Sequence, residues 1–214
     1  IGLSLVLLPL ILTAPETRQS AHLKIKGSFW ADVLVPSVKN KRFLFVVVPM
    51  APWVFGAGFV SYAILPTLLR NMVAAPVAYS ALIALITLGS GFAIQQFGPQ
   101  IMGESRTRGP ILALGVTVLG MAGSVWAAIN PHPWWALLVC VLLGLSYGLG
   151  MFMGLAETQK IASPTDLAGL TGIFYCLTYT GMIFPALLTR LSVFFTYPQM
   201  LGFGTLMAVL CLAI

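Results

Sequence analysis

The chain reads as a succession of long apolar runs separated by short polar breaks. Uncharged, predominantly apolar stretches cover 43–69, 76–97, 110–129, 134–155, 167–188 and 198–214, and a shorter one covers 1–13. A bilayer core of about 30 Å takes about 20 helical residues to cross. Within hydrocarbon every backbone N–H and C=O must bond inside its own segment, so each run is predicted to be a helix despite its many Val, Ile and Phe residues. The expected fold is an all-α membrane protein: a six-transmembrane-helix bundle over 43–214, preceded by the end of another helix at 1–13 and a polar loop at 14–42.

That polar interval sets the sidedness. It holds Arg18, Lys24, Lys26, Lys39, Lys41 and Arg42, six of the eleven cationic residues. With 14–42 in the cytoplasm and the helices alternating, the breaks at 98–109 and 156–166 fall inside too, adding Arg106, Arg108 and Lys160. Nine cations then lie inside and two, Arg70 and Arg190, outside, as the positive-inside rule requires. Residues 22–35 mix cations with Trp30 and aliphatic side chains, which suits either a helix on the inner membrane face or an irregular linker. The composition, 59% hydrophobic and 7% charged, agrees with a multi-pass protein of a plasma (inner) membrane. It turns the net charge of +6 into a topology signal, and no nucleic-acid partner is expected.

Inside the helices the informative residues are prolines, glycines and tyrosines. Pro49 and Pro52 remove backbone donors from 43–69, which is expected to bend or break there. Gly144/Gly148 and Gly150/Gly154 form two GxxxG spacings that let a neighbouring helix approach. Tyr147 and Met151 share a face at i and i+4, as do Tyr175 and Tyr179, and both pairs are candidate cavity walls or plain core. Glu157 is expected at a helix end, in an inner-face ion pair or cap. His132 is expected in a solvated turn, and Cys140, Cys176 and Cys211 as small buried hydrophobes. No mid-span ionisable residue, nucleophile motif or phosphate loop occurs in these helices, so neither an enzyme, a bound cofactor nor a metal is expected.

The order of parts resembles the C-terminal half of a major facilitator superfamily transporter. The resemblance lies in a helix ending in Pro15-Glu16-Thr17, a basic central loop, an Asn40-Lys41-Arg42-Phe43 entry and six further helices. It covers the whole chain as the end of helix 6 through helix 12. A degenerate copy of the family's inner-loop signature follows at 91–100, keeping Gly91 and Gly98 with Gln95 at the acidic position. The resemblance implies a secondary transporter with its substrate site at midplane between two related halves. Helices 7 and 10 would line that site, placing Trp53, Tyr62 and Tyr147 at the substrate, with Met151, Tyr175 and Tyr179 behind them. The expected substrate is a small amphipathic solute carried by efflux, with any coupling proton or ion handled by the missing N-terminal half. The alternative is a non-transporting membrane scaffold or assembly protein built on the same bundle.

Overall fold

Proline governs the shape of the first long helix, α1 (Phe43–Met72). Pro49 and Pro66 each lack an N–H and crowd the carbonyl four residues back, which belongs to Phe45 and to Tyr62 respectively. Both of those residues sit in π turns, Phe43–Val47 and Val60–Ile64, whose wider bore accommodates the ring. Pro52 is held within the α-helical segment Val48–Phe59 between them. Of the bend or break expected at Pro49 and Pro52, no break occurs: α1 remains one span, altered in pitch at its π turns.

The computed structural model describes residues 35–103 and 107–214. The expectations for 1–13, for 22–34 and for Arg106 lie outside the described residues. Beyond α1, the chain forms α2 (Pro76–Gln95), α3 (Gly98–Met102), α4 (Arg108–Ile129), α5 (Pro133–Ile161), α6 (Leu167–Leu191) and α7 (Tyr197–Ala213). Among the described residues there is no strand. Five helices, α1, α2, α4, α5 and α6, are long and apolar enough to cross a membrane, while α7 has 17 residues. The protein is an all-α, multi-pass integral membrane protein.

Several helices differ from the apolar runs that announced them. α5 continues past Leu155 to Ile161, because Ala156, Glu157, Gln159 and Lys160 are good helix formers and the Glu157 charge finds Arg42 at the start of α1 and Lys160 on its own helix. Glu157 stands near the C-terminal end of α5, buried, and forms an ion pair with Arg42 as expected. The stretch 98–109 contains the short helix α3. α6 runs to Leu191 through a 3₁₀ turn at Gly181–Ile183, just before Pro185.

α1 and α5 form the centre, with 56% of the most apolar 18-residue stretch of each buried, against 17% for α2 and 22% for α6. The two glycine pairs of α5 serve different neighbours. A Cβ on Gly144 would meet the Thr87 carbonyl and Ser90, and one on Gly148 would meet the Gly91 carbonyl, so this pair seats α2 backbone to backbone. Gly150 and Gly154 instead receive side chains, Val54 from α1 and Phe174 from α6. Hydroxyl pairs tie two further crossings: Ser61 of α1 with Thr87 of α2 at 2.5 Å and Thr117 of α4 with Ser146 of α5 at 2.6 Å, all four buried. Such interhelical bonds average about 0.6 kcal/mol in membranes, so glycine packing outweighs them.

Candidate functional site

Aromatic residues gather where α1, α5 and α6 meet. Phe55, Phe59 and Tyr62 lie on one face of α1 at helical spacing. Phe55 stacks on Tyr179 of α6, with centroids 5.3 Å apart and planes 8° from parallel, and it also meets Tyr147 of α5 at 6.0 Å. Phe59 packs on Tyr62 at 4.9 Å. Tyr147 lies where only a glycine fits, since a Cβ on Gly91 of α2 would strike its ring. All these rings keep part of their surface free, and Tyr179 is 52% exposed. The cluster therefore forms an open face of stacked rings and phenol hydroxyls with no fixed charge among its members. Such a face holds flat or cationic amphipathic molecules by stacking and cation–π attraction.

Three of the six cavity candidates singled out in the sequence stand elsewhere. Trp53 is buried and packs edge-on against Phe184 at 5.7 Å, away from the Phe55 rings, because it projects from another side of α1. Met151 belongs to a separate apolar cluster with Phe43 and Phe174. Tyr175 contacts its neighbour Phe174 at 5.6 Å. Gly98 sits against the Phe152 ring. Gln95 is the last residue of α2, and Gly91 lies one turn earlier as a helix-crossing glycine. Phe55, the hub of the cluster, was not singled out, although its spacing of seven from Tyr62 already places the two on one face.

The opposite kind of chemistry occupies one end of the bundle. Arg42, at the start of α1, donates from Nε to Glu157 Oε2 at 2.5 Å, and Lys160 lies 3.4 Å from Oε1. Lys160 also reaches Met102 Sδ at 3.0 Å, joining α5 to α3. Beside them Asp166 accepts backbone N–H groups from Ser37 at 3.1 Å and Ser163 at 2.7 Å, with the Ser163 hydroxyl as a third donor. It clasps the segment before α1 to the turn before α6. Bonds from Ser163 first, then from Ser37, hold the Asp166 carboxyl down at about 2 from its ordinary 3.8, against the opposing pull of burial.

A depressed carboxyl stabilises the fold only while it is ionised. Its contribution is fully present above about pH 4 and is lost as pH falls through about 2. The difference in thermal stability between wild type and Asp166→Asn in detergent is expected to shrink over that acid window. A difference that stays constant down to the acid end contradicts the clasp.

Among the described residues no group of His, Cys, Asp and Glu could hold a metal ion. Compared with known protein families, curated proteins and solved structures, the chain matches none.

Proposed function

We propose that this bundle is the C-terminal half of a major-facilitator-type secondary transporter that exports a small amphipathic solute by alternating access. The observation that carries the reading is the Phe55–Tyr147–Tyr179 cluster, which lies on an open face and draws one ring from each of α1, α5 and α6. α1 and α5 occupy the positions that the family resemblance assigns to the substrate-lining helices. The sparsely buried α2 and α6 offer the surface that a second six-helix half would cover. Lys39, Lys41, Arg42, Arg108 and Lys160 belong to one end of the bundle, whereas Arg70 and Arg190 belong to the other. By the positive-inside rule the first end faces the cytoplasm, and the membrane is a plasma (inner) membrane. Any proton or ion coupling is assigned to the other half.

The test is transport by the natural full-length protein in proteoliposomes under an imposed proton or sodium gradient, with ethidium as the amphipathic probe. Loss of one stacking ring, about 1 kcal/mol or somewhat more, is expected to weaken apparent affinity roughly tenfold in Tyr147→Ala. Tyr147→Phe should stay near wild type. If ethidium and related amphipaths never move under any gradient while the protein co-purifies with a membrane partner, the scaffold or assembly role replaces transport.

A further inference from the structure

On another side of α1 from the aromatic cluster, a partly open cavity of about 700 Å³ lies between α1, α4, α6 and α7. Trp53 and Phe184 form its floor, with Leu187, Phe203 and Met207 among its walls, and Gln199 is the one amide in its lining. Along α7 the lining runs from Gln199 to Met207, about 12 Å at 1.5 Å per residue. One leaflet of a bilayer core of about 30 Å is about 15 Å deep. The two lengths agree, and the polar groups lie at one end only. There Gln199 Oε1 accepts the Thr196 N–H at 2.9 Å, in the turn that joins α6 to α7, and Arg190 stands exposed in the last turn of α6.

We propose that this cavity is a binding site for one acyl chain of a membrane phospholipid. The chain enters sideways between the end of α6 and the start of α7, with its headgroup at the level of Arg190 and Gln199. The physical reason is the medium: at this depth only hydrocarbon is available to fill an apolar recess, and water would find only the Gln199 amide and the Trp53 indole N–H to bond. An unfilled recess would forfeit the dispersion contacts of its whole lining. An acyl chain restores them and carries no polar group that needs a partner.

Trp53 provides the readout, because it is 5% exposed and lines the cavity, so lipid reaches its indole only by entering there. The protein is reconstituted with Trp53 as sole tryptophan, Trp30, Trp126, Trp134 and Trp135 being replaced by Phe. In phosphatidylcholine brominated at mid-chain, Trp53 emission is expected to lose most of its intensity relative to unbrominated lipid, with little quenching by aqueous acrylamide. Gly204→Leu, at a residue that lines the cavity and whose Cβ would meet only the flexible end of Met121, should restore much of the lost emission. Unchanged emission in brominated lipid, or strong acrylamide quenching, overturns the proposal. Should the tryptophan replacements impair folding, a phosphatidylcholine with a diazirine on its acyl chain is cross-linked to the unaltered protein. Label on 184–207 in excess of the outward-facing Ile111 and Leu119 of α4 supports the site, and an even distribution refutes it.

Discussion

Gly148→Val is expected to cost the bundle about 3 kcal/mol or more, enough to prevent recovery of a monodisperse protein. Overpacking by a side chain costs about 1–3 kcal/mol where neighbours can yield. Here the Gly91 carbonyl, part of the α2 backbone, stands in the way and cannot yield. Displacing α2 from α5 would also strain the Ser61–Thr87 bond that holds α2 to α1. Two internal controls sharpen the test. Gly89→Ala and Gly115→Ala add a methyl where nothing lies within 4 Å, and their melting temperatures in one detergent should match wild type. A Gly148→Val protein that melts with wild type would refute the backbone-to-backbone seating of α2 on α5.

Arg42→Ala is expected to destabilise by about 2 kcal/mol, and adding Glu157→Gln to it should recover part of the loss. Removing one partner of a buried ion pair costs roughly 3–5 kcal/mol, because the other charge is stranded. The figure is discounted here because the Arg42 side chain is 27% exposed and Lys160 remains 3.4 Å from the carboxylate. The two partners are not equivalent. Glu157 is 3% exposed and cannot turn to water, so the damage in Arg42→Ala comes from the carboxylate left behind. Neutralising it as Gln removes that penalty. A double-mutant cycle read by thermal unfolding is the measurement, and strictly additive losses would show that the two side chains do not act as a pair.

Most of the helical layout was legible from hydropathy alone, and its failures have a common cause. Hydropathy ends a helix where polarity begins, but the backbone ends it where hydrogen bonding stops. α5 therefore runs through Glu157 and Lys160 to Ile161. Pro49 and Pro52 pointed to a bend or a break, whereas α1 stays one span, with π turns holding the residues four before Pro49 and Pro66 and with Pro52 inside an α-helical segment. Tyr147 and Tyr179 could be nominated as tyrosines on helix faces. That they share Phe55 as a hub, and that Trp53 and Met151 do not join them, depended on the rotation of each helix about its axis.

Length and apolarity were enough to establish that this chain lives in a bilayer as helices, because hydrocarbon permits an unpaired backbone almost nowhere and each span must satisfy itself. Nothing in that constraint says which face of a span meets which neighbour, since in lipid all apolar faces are alike. Contacts that join positions distant in the chain made the choice: the Gly144 and Gly148 notch for α2, the Phe174 ring in Gly154, the Arg42–Glu157 pair. From those contacts come both the open aromatic face and the lateral cavity behind it.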